Sequence, residues 1–230
     1  MDSENYIQID YSFLNLNNNE INLIKWAENK AFQLMNHSDV HGIGHIYRVV
    51  KNCIQIANVE NKKFKNINYF VLLFSAWTHD LGREYQKFRE IIDIGNLENH
   101  SLISVKILQN LIDKEKIRID NNILESIFYC IKSHSFSAKL KPSSIEAKIL
   151  SDADKLDALG AIGIFRASCF HFENNSSLYD LVNHFYDKLL ILDKYLFLNY
   201  SKRIAKKRIK IMKKFLKDLN NETSYKIKST

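Results

Sequence analysis

The stretch that decides the fold is YFVLLFSAWTHDLG, which runs from Tyr69 to Gly82. Its first part, Tyr69–Trp77, is too apolar for a surface helix and too short to span a bilayer, so it predicts a helix buried in a protein core. Gly82 is a typical helix stop because glycine enters the left-handed cap conformation without a Cβ penalty. The pattern therefore places His79 and Asp80 in the last turn of a buried helix.

Asp80 is an unfavourable residue at that place. A carboxylate near the C-terminal end of a helix faces the negative pole of the helix dipole, and a buried carboxylate needs a partner. A divalent cation would satisfy both requirements, and adjacent helical positions are only about 100° apart, so His79 and Asp80 could share one ion. The alternative is that both side chains lie at a solvated helix end.

Composition predicts an all-α protein. The chain has 230 residues, of which 46% are hydrophobic, with one proline and six glycines, whereas turn-rich β folds use many more of these two residues. We expect one domain over residues 1–230, with a loose N-terminal lead-in at 1–18 and a basic C-terminal helix at 199–220 packed on the core. Three separated cysteines predict buried, reduced thiols. The N-terminus shows no signal pattern, and no apolar run reaches membrane length, so we expect a cytoplasmic protein without a membrane partner.

Helical spacing of apolar residues extends along most of the chain. It predicts helices at Glu20–Asn36, His45–Val59, Ile145–Phe170, Leu178–Leu198 and Lys202–Leu219, among others. Ser143 and Glu146 suggest a capping box at the start of the helix Ile145–Phe170. The first half of that helix contains Asp152 and Asp154 beside a buried run, and such acids are unfavourable unless they bind a cation.

Several helices contribute a histidine or an aspartate of the kind that binds metals. Inward-facing side chains from several helices can converge on one site in a helical bundle. Imidazole and carboxylate ligands suit manganese, magnesium, nickel, cobalt, iron or zinc, and we favour manganese. In chain order the candidates are His45, His79, Asp80, His100, His134 and Asp154.

The ordered set resembles the HD-domain metal-dependent phosphohydrolases, and most closely the small bacterial HD hydrolases that include nucleotide pyrophosphohydrolases. The resemblance extends from about residue 35 to about residue 220. It rests on GHIYRV at 44–49, WTHDLG at 77–82, IKSHSFS at 131–137 and EAKILSDADKLDALGAIG at 146–163. It implies a single HD-domain helical bundle with additional C-terminal helices.

The resemblance also implies roles for individual residues. One metal would be bound by His45, His79, Asp80 and Asp154. Asp152 is the alternative to Asp154, and the two lie about 200° apart around a helix, so we do not expect both to bind the same ion. His100 and His134 occupy places where related proteins hold a second metal or contact phosphate, so they are candidate substrate-binding residues.

Three further residues are candidates for catalysis. Some relatives carry an acidic pair directly after the doublet His79-Asp80, whereas this chain has Arg83 and Glu84. Glu84 is therefore the candidate for orienting or deprotonating water, and Arg83 for binding phosphate. Lys155 is a second candidate for a phosphate contact, and its alternative is an ion pair with a neighbouring acid. Gly42 stands where many relatives carry an aspartate.

The predicted function is hydrolysis of a phosphate anhydride or ester bond in a nucleotide, with a metal-activated water. One alternative is a phosphodiesterase acting on a cyclic nucleotide or another phosphodiester, although the Gly-Tyr-Pro element of the dinucleotide branch is absent. A second alternative is a nucleic-acid-binding module without turnover, since the chain has a net charge of +7 and a basic run at 202–217. Ile204, Ile211 and Phe215 give that run an apolar face, so we expect a packed helix and no nucleic-acid partner. The apolar helical faces leave a homodimer open.

Overall fold

A computed structural model describes residues 6–64, 66–89, 92–93, 97, 99–135 and 140–223, and regular structure in these ranges is helical throughout. The all-α prediction is confirmed. The α-helices are α1 (Asn18–Leu34), α2 (Ile43–Phe64), α3 (Tyr69–Thr78), α4 (His100–Glu115), α5 (Asn121–His134), α6 (Ile145–Asp157), α7 (Gly160–Glu173), α8 (Leu178–Asp187) and α9 (Asn199–Glu222), with 3₁₀ segments at Leu81–Lys87 and Leu189–Tyr195. None of the described helices is both long and apolar enough to cross a membrane.

The chain divides into two compact units, Met1–Ser151 and Asp152–Thr230, and the division falls inside α6. The first unit contains α1 to α5, the first 3₁₀ segment and the start of α6. The second contains the end of α6, helices α7 to α9 and the second 3₁₀ segment. The prediction of one domain over residues 1–230 stays a prediction.

Helix α3 forms the centre of the first unit. All of its residues are buried, and it contacts α1, α2 and α5. Complete burial of a large apolar side chain contributes about 1.5–3 kcal/mol, so Phe74 and Trp77 are major sources of stability here. The Asn68 side chain caps the helix by accepting a hydrogen bond from the Val71 N–H at 3.0 Å. The predicted buried helix is therefore present, and it ends one residue before His79.

Two side chains anchor the described part of the N-terminal lead-in, whereas Ile7 and Phe13 are exposed. Tyr11 and Leu14 are buried. The indole Nε1 of Trp77 donates to the Tyr11 hydroxyl at 3.0 Å, and that hydroxyl donates to Glu28 Oε2 at 3.0 Å. These two hydrogen bonds attach the non-helical segment around Tyr11 to α1 and α3. Residues 1–5 lie outside the described residues.

The second unit corrects the prediction of one helix from Ile145 to Phe170. The chain turns after Asp157, and α7 begins at Gly160, whose φ is +78°. A Cβ at Gly160 would lie 3.0 Å from the Arg208 side chain, so glycine serves both the backbone conformation and the contact with α9. Helix α9 packs on α7 and on the second 3₁₀ segment. The apolar run continues across this break, but α7 is not the buried helix that the run predicts, because it buries the small residues Gly160, Gly163 and Ala167 and leaves Phe165, Phe170 and Phe172 exposed.

The predicted capping box at the start of α6 is also wrong. Ser144, not Ser143, caps the helix, since its Oγ accepts from the Ala147 N–H at 3.1 Å. Ser143 Oγ lies 2.7 Å from the Tyr129 hydroxyl. Glu146 accepts the Asn68 N–H at 2.9 Å, so its carboxylate is used to join α6 to the start of α3. A tertiary hydrogen bond has taken the place of the local one.

Candidate metal centre

The doublet His79-Asp80 lies at the junction between α3 and the first 3₁₀ segment. His79 keeps helical backbone angles, with φ −61° and ψ −32°, whereas Asp80 departs from them, with φ −109° and ψ 11°. This change of direction lets both side chains face the same interior space. Gly82 follows directly, and its N–H donates to Ser104 Oγ of α4 at 2.8 Å.

Four histidines surround the Asp80 carboxylate, which is only 1% exposed. The Nε2 atoms of His45 and His79 lie 3.6 and 3.8 Å from Asp80 Oδ2. On the other side, the Nε2 atoms of His100 and His134 lie 3.4 and 3.7 Å from Asp80 Oδ1. The structure thus brings together five of the six residues that the sequence nominated as ligands or metal-proximal groups, from α2, α4, α5 and the two residues that follow α3.

These groups form two overlapping sets that share Asp80. The first set is His45, His79 and Asp80, and the second is Asp80, His100 and His134. Within each set, one potential ligand atom per residue lies within 4.8 Å of the others. Nitrogen and carboxylate oxygen at such spacing are the donor types that first-row divalent metals accept.

Backbone carbonyls determine the orientation of two of the imidazoles. His79 Nδ1 lies 2.7 Å from the Ala76 carbonyl oxygen, and His134 Nδ1 lies 2.6 Å from that of Ile131. A carbonyl can only accept a hydrogen bond, so Nδ1 carries the proton in both rings. Nε2 is then the nitrogen that faces Asp80 in each ring, which is the arrangement expected of metal-binding histidines.

The electrostatics of Asp80 favour its ionised form. Burial alone would raise the pKa of this carboxyl group, but the electrostatic interaction with the His79 imidazole and then that with the Arg83 guanidinium outweigh burial and hold the pKa well below its usual value. Oδ1 accepts no hydrogen bond of ordinary geometry from the residues that the structure describes. A buried, ionised carboxylate ringed by imidazole nitrogens fits a divalent cation, because the cation would bind the carboxylate oxygens and the facing nitrogens together.

Arg83 and Glu84 lie beside this cluster on the first 3₁₀ segment. Arg83 Nε donates to Asp80 Oδ2 at 2.5 Å, and 36% of the Arg83 side chain is exposed. Glu84 accepts the Asn36 N–H through Oε1 at 3.1 Å and pairs with Lys87 through Oε2 at 2.9 Å. The Glu84 side chain is 10% exposed, so these contacts hold a carboxylate close to the solvent boundary. The predicted roles of Arg83 in binding phosphate and of Glu84 in activating water stay predictions.

The remaining candidates, Asp152, Asp154 and Lys155, lie in the second unit. Asp152 accepts the N–H groups of Phe197 and Leu198, each at 2.9 Å, with one oxygen apiece. Burial lowers the pKa of Lys155, while the charges of Asp154 and Asp152 oppose that shift. Since both oxygens of Asp152 already accept hydrogen bonds from the backbone just before α9, Asp154 is favoured over Asp152 as the predicted fourth ligand. The assignment of Asp154 itself stays a prediction.

The sequence did not reveal that Gly82 allows α4 to lie beside the doublet His79-Asp80. Gly82 does not adopt the left-handed cap conformation that the sequence suggested, since its φ is not among the positive values. A Cβ there would lie 2.1 Å from the His100 carbonyl oxygen and 2.7 Å from the Ser104 nitrogen. Gly82 thus allows two backbones to approach closely, and no local signal in the sequence shows this. Residues 136–137 of the predicted histidine loop lie outside the described residues.

Comparison with known proteins bears on this cluster. Residues 42–159, more than half of the chain, match the model of the HD domain family. The curated protein YpgQ of Bacillus subtilis strain 168, described as uncharacterized, is 36% identical over 86 residues, which cover 36% of this chain. That match spans 42% of YpgQ, less than half of its length.

Solved structures resemble the whole chain more extensively. The crystal structure of Bacillus subtilis YpgQ in complex with ADP has a TM-score of 0.69 and 25% identity, and the comparison covers 92% of this chain and 100% of that one. An HD-superfamily hydrolase from Bacillus thuringiensis has a TM-score of 0.62 and 26% identity, with 88% of this chain and 95% of that one covered. The likeness therefore includes both the helical fold and the region of the histidine cluster.

Proposed function

We propose that this member of the HD domain family, a metal-dependent phosphohydrolase, acts on a nucleotide and hydrolyses a phosphate anhydride or ester bond of it. One observation carries the metal-dependent hydrolysis in this proposal. Four imidazole nitrogens from four elements face the two oxygens of a single buried carboxylate, Asp80. A structural core does not need such a cluster, whereas a phosphate-cleaving metal site does.

The residues of the first set, His45, His79 and Asp80, would hold the metal, with Asp154 as the predicted fourth ligand. A bound divalent cation supplies a Lewis acid that lowers the pKa of water and neutralises phosphate charge. We favour manganese, because mixed imidazole and carboxylate ligands suit it, and the same ligands suit magnesium, nickel, cobalt, iron and zinc. The shared carboxylate of Asp80 lets the second set serve either another cation or the substrate phosphate.

We assign phosphate binding to His100 and Arg83, and to His134 in its doubly protonated form, because the Nδ1 proton of His134 is used by the Ile131 carbonyl. His100 has 22% of its side chain exposed, so it is the histidine of the second set that solvent and substrate reach more easily, whereas His134 is buried behind it. The Arg83 guanidinium presents several donors in one plane, and it is anchored through Nε on Asp80. Lys155 is the further candidate for a phosphate contact. Positive donors on non-bridging oxygens would stabilise the charge that develops during hydrolysis.

Glu84 is our candidate for orienting the attacking water. It is the carboxylate next to Arg83, and the Asn36 N–H and Lys87 fix its position. A fixed carboxylate with partial access to solvent can accept a proton from a water molecule within hydrogen-bond reach. Replacement of Glu84 by Gln would keep the hydrogen-bonding shape and remove the basic group.

The nucleotide is proposed from the relative that binds one. The structure of Bacillus subtilis YpgQ that resembles this chain contains ADP. ADP has a phosphate anhydride, which is the bond that a pyrophosphohydrolase-like reaction would cleave. Nucleoside di- and triphosphates are therefore the first substrates to test, and cyclic nucleotides are the comparison that would favour a phosphodiesterase.

The test is a screen for phosphate and pyrophosphate release from nucleotides, cyclic nucleotides and phosphorylated sugars, with manganese, magnesium, nickel or cobalt added. Asp80→Ala removes the shared carboxylate, and Asp113→Ala removes an exposed carboxylate of α4 as the matched control. We expect Asp80→Ala to lose more activity than the roughly 10–100-fold that follows loss of an outer-shell partner, and Asp113→Ala to keep wild-type activity. Full activity in Asp80→Ala would exclude the mechanism, and activity on sugars alone would exclude the nucleotide.

A further inference from the structure

Helix α9 carries the entire excess of positive charge in this protein. The chain has 33 Lys and Arg against 26 Asp and Glu. Of these, α9 alone has nine basic and two acidic residues, so the rest of the chain is balanced at 24 of each. The net charge of +7 is therefore a property of one helix rather than of the whole surface.

The exposed charges of α9 form a continuous surface, which we call the basic stripe. Its members are Arg203, Lys206, Lys207, Lys210, Lys213, Lys214 and Lys217, all exposed. At 100° and 1.5 Å per residue, they occupy an arc of about 120° and a length of about 21 Å. The opposite face of the helix is buried, with Ala205, Ile209 and Met212 inside the second unit. The helix is thus fixed through its apolar face and presents the basic stripe outward.

Within the described part of the chain, no ion pair neutralises the basic stripe. Many members are three or four residues apart, where like charges repel one another. None of them takes part in the ion pairs observed between described residues, and the acids of α9, Asp218 and Glu222, lie only at its C-terminal end. A polyanion would relieve this repulsion, because each phosphate could pair with one or two of these cations.

We infer that the basic stripe binds double-stranded nucleic acid through its phosphates, without reading the base sequence. A strand carries one phosphate per 3.4 Å, so a rigid stripe of about 21 Å spans roughly six of them. Single strands are usually held by aromatic side chains that stack on bases. The aromatic residue next to the stripe is the half-buried Tyr200, and its ring already contacts a stripe member, with the Arg203 guanidinium 5.7 Å from its centroid. Membrane-surface helices need a large apolar face toward the lipid, whereas Ile211 is the exposed large hydrophobic residue of α9. This proposal replaces the sequence-based expectation of a merely solvated face, and it stands independently of the proposed catalytic function.

The test is fluorescence anisotropy with a labelled duplex of arbitrary sequence, titrated between about 50 and 200 mM salt, the range in which binding through phosphates is most visible. The stripe variant is Lys206→Gln with Lys210→Gln and Lys214→Gln. The control is Lys62→Gln with Lys114→Gln and Lys194→Gln, which removes the same charge from exposed positions outside α9. Each lysine paired with a phosphate contributes about 0.9 to the slope of log K against log salt. We therefore expect this slope to be less steep by about 2.7 in the stripe variant and to be unchanged in the control.

Three results would overturn the inference. An equal loss in the control would mean that net charge alone attracts the duplex. Binding to phosphatidylserine vesicles without binding to the duplex would assign the stripe to a lipid surface. Absence of duplex binding at the lowest salt concentration would leave the stripe with no such role. His79→Ala should keep full duplex affinity, and the stripe variant should keep wild-type phosphate release, so failure of this inference is distinguishable from failure of the catalytic proposal.

Discussion

Asp80 is a buried carboxylate at the end of an apolar helix, and such a group needs charged or hydrogen-bonding partners inside the protein. Arg83 and the surrounding histidines provide them, and together they keep Asp80 ionised. Asp152 is buried too, but backbone N–H groups satisfy it. Asp80, which is surrounded by side chains, is suited to binding a metal, whereas Asp152, which is bonded to the backbone, is suited to stabilising the fold.

Because backbone N–H groups satisfy Asp152, substitutions of Asp152 and of its neighbour Asp154 should affect different properties of the protein. Asp152→Asn should lower the free energy of unfolding by about 1–3 kcal/mol, because an amide cannot accept from both the Phe197 and Leu198 N–H groups. Asp154→Asn should instead weaken manganese binding. Chemical denaturation and isothermal titration with manganese measure the two quantities. If Asp152→Asn alone abolished manganese binding, the two aspartates would have exchanged roles.

The cysteines should differ in reactivity according to burial. Burial, and then the charge of Glu146, raises the pKa of Cys130 to about 12, and Cys53 is fully buried, whereas Cys169 on α7 is half-buried. We expect a thiol reagent at about pH 8 to modify one cysteine quickly in the native protein and all three after denaturation. Cys169→Ser should remove the fast phase. A fast phase that persisted in Cys169→Ser would show that a buried thiol is accessible.

At the level of secondary structure, the short 3₁₀ segment Leu81–Lys87 brings α4 to the doublet. Its first residues pack against the start of α4, where Gly82 leaves room for the His100 carbonyl. His100 begins α4, so the position of this helix decides how close the His100 ring comes to Asp80. The geometry of the second set therefore depends on a glycine that binds nothing itself.

Gly82→Ala should consequently impair both stability and the metal centre. The new methyl group would meet backbone atoms that cannot rotate away, and overpacking of this kind costs about 1–3 kcal/mol. We expect lower manganese affinity as α4 moves away from Asp80, measured by titration below the unfolding temperature. Gly163→Ala is the matched control, because its Cβ would lie 2.3 Å from the Ala158 carbonyl oxygen within the second unit. Equal manganese affinity in Gly82→Ala and wild type would contradict this account.

At the level of the whole molecule, binding of a metal should stabilise the native state, because the unfolded chain does not hold these side chains together. At a manganese concentration about 100 times the dissociation constant, the gain is about 2.7 kcal/mol. For a chain of this size, that corresponds to a rise in Tm of roughly 5–10 °C. Differential scanning fluorimetry with and without a chelator measures it. The same rise in Asp80→Asn would place the stabilising ion elsewhere.

The sequence by itself determined the helical class, the buried character of α3 and the identity of the metal-binding candidates. These features are local: composition, apolar periodicity and the types of residue that metals accept can all be read from short stretches. It also predicted a basic, amphipathic helix in the C-terminal part of the chain, where the structure has α9.

Only the tertiary structure decided which of these residues meet, because that depends on contacts between residues far apart in the chain. His45 and His134 reach Asp80 from helices that begin or end tens of residues away. Glu146 left its predicted capping role for the Asn68 N–H, and Asp152 bonds to backbone 45 and 46 residues further along. Gly82 is required by the backbone of α4 and not by its own conformation. A polar side chain forms hydrogen bonds or ion pairs with the groups that the fold brings within reach, and local sequence patterns contain no information about those groups.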